Sequence, residues 1–146
     1  MAKNDHYQKL ENMYLKAPCS EFYNPKIKIN KGAAEIIIPI RQDFFHAAGA
    51  THGSVYFKAM DEAAYFAVNS LVDDAFVLTV NFNIQIIRPI VTGKMKAVGR
   101  VVYHSRNHYF AESIVSDSKG REIGRGHGNY VKSAIPLTEE IGYKSK

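Results

Sequence analysis

Hydrophobic and polar positions change period several times along this chain, and each change marks an element. Tyr7, Leu10, Tyr14 and Leu15 recur near helical spacing, with Asn4 or Asp5 as a candidate N-cap and Pro18 as a stop. A short amphipathic helix is expected there. In "KIKINKGAAEIIIPI", Ile27 and Ile29 alternate with lysines, Asn30-Lys31-Gly32 supplies a turn, and an apolar run resumes from Glu35 to Ile40, which predicts a hairpin. A longer helical pattern lies between His46 and Leu71. After it, "TVNFNIQII" places Val80, Phe82, Ile84 and Ile86 on one face and Thr79, Asn81, Asn83 and Gln85 on the other, the alternation of a half-buried antiparallel strand. Extended runs follow over Lys94–Tyr103, Tyr109–Ser116 and Arg121–Lys132, broken by the turn-formers in "HSRNH" and "DSKG". The sum is an α+β domain in which a hairpin and a four-strand antiparallel meander wrap over one long central helix.

The last strand adds detail. In "IGRGHGNY", Gly124, Gly126 and Gly128 fall on one face, and such a stripe lets another backbone approach, the long helix being the expected one; a bulge is the alternative. A dinucleotide loop does not fit, because this GxGxG leads into "NYVKSAIP" and not into a helix.

Composition narrows the picture. A chain of 146 residues with 46% apolar residues can bury a core as a single domain, 1–146, with an N-terminal helical region over 1–20 and a C-terminal tail over 136–146. No apolar stretch approaches 18 residues, and the first twenty residues are charged, so a cytoplasmic protein with no membrane partner is expected. The single Cys19 forms no internal disulfide, and no Cys/His cluster has zinc spacing, so no metal is expected. The net charge of +5 suits a polyanion, either nucleic acid or a phosphate-bearing cofactor. The strands lack the aromatic stacking signature of RNA-binding sheets, which argues against nucleic acid.

The candidate chemistry sits in "HAAGATHGSVYFKAMDEAAYFAV", where two histidines and a glycine precede an apolar helix that carries Asp61-Glu62 in its middle. With the helix starting near His52 or Gly53, Asp61 lies roughly 12 to 14 Å along it at ~1.5 Å per residue, out of reach of that end within one chain. Ser54, Lys58, Asp61, Glu62, Tyr65 and Asn69 share one arc of the helix, so Asp61 and Glu62 also fit a plain solvated face. Asp61 borders Phe57, Ala64 and Val68, whereas Glu62 sits near the centre of the polar arc, which favours Asp61 as the chemical group.

With these residues set out, the chain resembles the hot-dog fold thioesterases, and among them the PaaI-like acyl-CoA thioesterases. The resemblance covers nearly the whole chain, from "MYLKAP" through "GATHGSVYFKAMDEAA" to "RPIVTGKMKAVGRVVYHSRNHYFAESIVSDSKGREIGRG". The family pattern is similar to N-x-x-G-x-x-H-G-G followed by a helical Asp; here Gly49, His52, Gly53 and Asp61 fall in register, while His46 replaces the usual Asn and Ser54 the second Gly. The resemblance implies hydrolysis of a small or medium acyl-CoA, with no cofactor required and coenzyme A entering as part of the substrate. It also implies a homo-oligomer, a dimer or dimer of dimers (a homotetramer), with the site across the dimer interface. Two helices antiparallel across a two-fold axis would bring Asp61 of one chain to the His52-Gly53 end of the other. The implied roles are general base or nucleophile for Asp61, oxyanion donor for the Gly53 N–H, an orienting hydroxyl for Thr79, and a donor near the carbonyl for His46. His52 serves equally as a cap or packing residue. Arg88, Lys94, Arg106, Asn107 and Lys132 are candidates for the coenzyme A phosphates, Arg106 and Asn107 foremost. The two departures from the pattern leave open an acyl-CoA-binding protein without catalysis.

Overall fold

The computed structural model describes residues 3–146. Helix α1 spans Lys3–Lys16, so Asp5 lies inside its first turn, where its charge suits the helix dipole, and does not cap it from outside. The side chain of Asn4, the other cap candidate, lies outside the described residues. A four-residue helix, α2 (Ser20–Tyr23), follows. The expected hairpin forms from β1 (Lys26–Asn30) and β2 (Ala33–Pro39), with Asn30 opposite Ala33 and Gly32 at φ +70°, a backbone that glycine adopts without steric cost. The central helix α3 runs from Gly53 to Asn69, and β3 (Ala75–Ile86), β4 (Lys94–His104), β5 (His108–Ser116) and β6 (Glu122–Pro136) complete one antiparallel sheet.

The strand order is β1-β2-β4-β5-β6-β3. The expected four-strand meander is therefore a three-strand one: β4 pairs with β2, and β3 crosses to the far edge to pair with β6. That crossing leaves β3 as a sheet edge. The sheet wraps α3, which touches strands β1 to β6, and the core is the apolar side of that helix (Val55, Ala59, Met60, Ala63, Ala67) against Ile36, Ile38, Met95, Val115 and Ile123.

Two packing expectations change. The helix backbone does approach a glycine closely, but the glycine is Gly99 on β4: a Cβ there would fall 2.3 Å from the carbonyl carbon of Ala63. At Gly126 and Gly128 the approaching backbone is that of β3, whose Asn83 and Asn81 carbonyl oxygens lie 2.6 and 2.4 Å from where the Cβ atoms would stand; the ring of Phe82 lies 2.6 Å from each and in turn meets Phe57 of α3 edge-on at 5.7 Å. The second change is in β3. Thr79 pairs with Tyr130 and Asn81 with Asn129, so Val80 has no opposite number on β6 and forms a bulge. The extra residue reverses the parity of the strand. Val77 and Thr79 face the helix before it, and Phe82 and Ile86 face the helix after it, while Val80 stands 59% exposed and not on the face it was expected to share with Phe82.

The polar arc of α3 is not a solvated face. Asp61 and Glu62 are half-buried, and Tyr65 and Asn69 are buried, because α1 and the C-terminal segment lie over them. That segment, expected as a tail, is folded down. His6 Nε2 donates to the Asn69 carbonyl at 3.0 Å, so its Nδ1 accepts from the Tyr143 hydroxyl at 2.7 Å, and Asn12 donates to the Lys144 carbonyl at 2.8 Å.

Candidate functional site

The middle of α3 presents Asp61 to two strands at once. Thr79 Oγ1 donates to Asp61 Oδ1 at 3.1 Å, a contact that exists because the bulge at Val80 keeps Thr79 on the helix side. The Tyr130 phenol donates to the same Oδ1 at 2.9 Å and lies 3.2 Å from the carbonyl oxygen of Asp61. Among the described residues no hydrogen bond reaches Oδ2. Burial pushes the Asp61 carboxyl above its ordinary value, and the bonds from Tyr130 and Thr79, with the Lys58 charge, offset only part of that rise. Sequence reasoning singled out Asp61 and Thr79 and missed Tyr130. The signal was present: Tyr130 is two residues beyond Gly128 in an alternating strand, hence on the same face as the glycine stripe.

Glu62 is differently placed. It is ion-paired with Lys58, whose ammonium sits 5.5 Å from the ring centre of Tyr14, 5.2 Å from that of Tyr23, and 3.5 Å from the sulfur of Cys19. Burial raises the Glu62 carboxyl as well, with Lys58 acting against it. A carboxylate committed to a neighbouring ammonium is a poorer base than Asp61, whose second oxygen is unpaired. Both acids lie on the wall of a cavity of about 710 Å³ between α1, α3, β3 and the C-terminal segment, lined largely by apolar groups such as Met13, Phe66, Phe76 and Ile141.

The start of α3 is a second, separate cleft. His52 is its N-cap: Nδ1 accepts the backbone N–H of Ser54 at 3.0 Å and lies 2.8 Å from the Ser54 hydroxyl. The structure thus gives His52 the capping role, and Ser54, in place of a second glycine, joins that cap. The Gly53 N–H has no partner among the described residues and points out of the first turn, as the early amides of a helix do. The approach to the helix is braced by backbone bonds from His52 N to Phe44 O (2.8 Å) and Thr51 N to Ile90 O (3.1 Å). His46 caps its own turn, Nδ1 accepting from Ala48 N at 3.1 Å, so the neutral ring carries its proton on Nε2 and keeps that N–H to donate. His46, Gly53 and Arg88 line one cleft of about 350 Å³.

Of the other phosphate candidates, Arg106 and Asn107 are exposed on the β4–β5 turn, Lys94 opens β4, and Lys132 is ion-paired with Asp74 at 2.8 Å. Since Lys132 pairs with Val77 and His108 with Val131, Arg106, Asn107 and Lys132 gather at the Thr79 end of the sheet, away from Arg88. Each chain therefore holds two separate clusters on α3, each a candidate half of a site. The candidate base end comprises Asp61, Thr79 and Tyr130; the candidate amide end comprises Gly53, His46 and Arg88. Asp61 and Gly53 are eight residues apart on one rigid helix, about 12 Å. Among the described residues no cluster of three or more metal-ligating side chains occurs.

Comparison with known proteins bears on this geometry. Residues 48–123 match a family described as the thioesterase superfamily. A protein of Sulfurisphaera tokodaii named "Putative esterase" is 26% identical over 102 residues, covering 69% of this chain and 75% of its own length. Among solved structures, the PaaI protein from the phenylacetic acid degradation operon of E. coli superposes with a TM-score of 0.85 at 16% identity, over 94% of this chain and 100% of that one. A thioesterase family protein from Silicibacter pomeroyi does so with a TM-score of 0.81 at 21% identity, over 86% of this chain and 96% of that one.

Proposed function

Because this chain belongs to the thioesterase superfamily and has its hot-dog fold, we propose that it hydrolyses the thioester of a small or medium acyl-CoA, giving a carboxylate and free coenzyme A. Each site takes Asp61 from one subunit of a homodimer and the Gly53 amide from the other. The observation that carries this reading is the half-buried Asp61, with two donors on one oxygen and none on the other, on the wall of a largely apolar cavity.

The fold supports the shared site. Thr79 and Ile86, which mark the two half-sites, lie seven residues apart on the edge strand β3, about 23 Å at ~3.3 Å per residue. Along its edge β3 also exposes the apolar side chains Leu78, Val80 and Ile86. A second copy pairing antiparallel to β3 across a two-fold axis sets the base end of each chain beside the amide end of its partner. The same operation gathers Arg106, Asn107 and Lys132 of one chain with Arg88 of the other, a set of cations and donors suited to the coenzyme A phosphates. Two such dimers can further associate as a dimer of dimers.

In this arrangement the Gly53 N–H, at the positive end of α3, polarises the thioester carbonyl and stabilises the oxyanion. Asp61 takes a proton from water, whose oxygen attacks the carbonyl carbon, and the proton passes to the departing thiolate. Direct attack by Asp61, giving a mixed anhydride that water then opens, uses the same groups. Label found in the Asp61 carboxyl after a single turnover in ¹⁸O-labelled water identifies the second route, with water opening the anhydride at the Asp61 carbon. The cavity beside Asp61, about 710 Å³, falls in the size range of small-molecule sites and receives the acyl chain.

The test is a panel of acyl-CoA thioesters with a thiol-trapping dye. Thiol release from at least one member is expected. Binding by calorimetry with no thiol released from any of them would overturn catalysis and leave an acyl-CoA-binding protein.

A further inference from the structure

We infer that Tyr130 is a positioning residue for Asp61: together with Thr79 it holds Oδ1 and leaves Oδ2 as the oxygen that acts. This inference rests on the reading of Asp61 as base or nucleophile and adds a residue that the sequence pattern did not mark. Thr79 and Tyr130 are register partners on β3 and β6. Residues directly opposite on antiparallel strands project to the same face, so the sheet delivers two hydroxyl donors side by side onto one carboxylate oxygen, at 3.1 and 2.9 Å. Tyr130 is fully buried, on a strand paired on both sides, which fixes its hydroxyl in space. Its second neighbour, the Asp61 carbonyl at 3.2 Å, already has its helical partner, so the phenol proton goes to the charged acceptor.

Two consequences follow for the chemistry. With Oδ1 occupied twice, the carboxylate cannot rotate freely, and its unbonded oxygen is the one available to water or thioester. The two donors also favour the ionised carboxylate against the burial that opposes it. Tyr130 itself gives up no proton, because burial and the adjacent Asp61 charge push its phenol well above the ordinary tyrosine range. It donates a hydrogen bond without serving as an acid. The other titratable groups facing this point are Lys58, Glu62 and Tyr65 on α3, Tyr14, Lys16 and Cys19 on the α1 side, and Glu139, Glu140 and Lys144 on the C-terminal segment. None of them hydrogen-bonds Asp61.

The experiment compares pH profiles of kcat/KM for the wild-type homodimer, Tyr130→Phe, and a protein with 3-fluorotyrosine at position 130, using the acyl-CoA that wild type turns over fastest. Activity requires ionised Asp61, so it falls on the acid side. Removing a donor from the ionised form moves that acid limb to higher pH. Tyr130→Phe is expected to lower kcat/KM within the limb by roughly three- to tenfold, with kcat falling and KM little changed. The fluorinated phenol, a stronger donor, moves the limb to lower pH. If Tyr130→Phe fails to fold, the 3-fluorotyrosine protein alone decides. An unmoved acid limb in every variant that folds overturns the inference, including the case where activity falls only in proportion to folded protein. Near-normal turnover by Asp61→Asn overturns instead the reading of Asp61 on which this rests.

Discussion

The two half-sites occupy the same helix, yet they are built from opposite materials. At the start of α3 the group to which we assign a role is a backbone amide in an open cleft, its approach fixed by main-chain bonds to Phe44 and Ile90. In its middle that group is a side-chain carboxylate, half-buried and held by side chains from two strands. The difference follows from the task. A dipole needs only direction, which the helix supplies whatever side chains surround it, so His46 and Ser54 beside it leave the role proposed for the Gly53 amide intact. A base needs a tuned proton affinity, and that demands particular neighbours and exclusion of water.

The comparison can be broken most severely at the base end. Asp61→Asn keeps the shape and removes the base, and kcat/KM is expected to drop by at least ~10²-fold while size-exclusion chromatography still shows the wild-type oligomer. Near-normal activity would shift the role to Glu62 or abolish it.

The amide end is tested through its partner. Gly53→Pro deletes the N–H; proline is tolerated at the first helical position, His52 is already extended at ψ 146°, and the nearest obstacle is the tip of the Ile86 side chain. Mixed with Asp61→Asn under conditions of subunit exchange, this inactive variant should regain up to about a quarter of wild-type activity, because half of the random dimers are mixed and each holds one intact site. Folding of both parents is checked by circular dichroism. An inactive mixture of folded, exchanging chains would mean that the two ends do not meet across the interface.

Thr79→Ala sharpens the contrast with a smaller effect. It removes one of two donors, so a loss of about tenfold or less in kcat/KM is expected, with the acid limb displaced toward higher pH. A loss equal to that of Asp61→Asn would make the hydroxyl as essential as the carboxylate.

Much of this was legible in the sequence because it depends on local pattern. The start of α3 follows from the glycine and capping residue before an apolar run, and the Lys31-Gly32 turn fixes the first hairpin. What escaped depends on contacts between segments far apart in the chain. The placement of β3 beside β6 is a long-range pairing that no local period reports, and the bulge at Val80 breaks the alternation from which the faces of Thr79 and Phe82 were assigned. The burial of Glu62 and Asn69 is likewise decided by α1 and the C-terminal segment folding over them. Tyr130 was within reach of parity alone, but nothing local showed that its face would end against Asp61.

Val80 makes no contact in the site, and its side chain stands out in solvent. Its contribution is arithmetic. Strands count in twos, and this residue is an odd one inserted so that a hydroxyl above it and an aromatic wedge below it can both look inward. The position therefore carries meaning by existing, besides the apolar side chain that it would offer to a partner's β3: an apolar replacement keeps both, whereas losing the residue would put every later residue of β3 on the wrong side of the sheet.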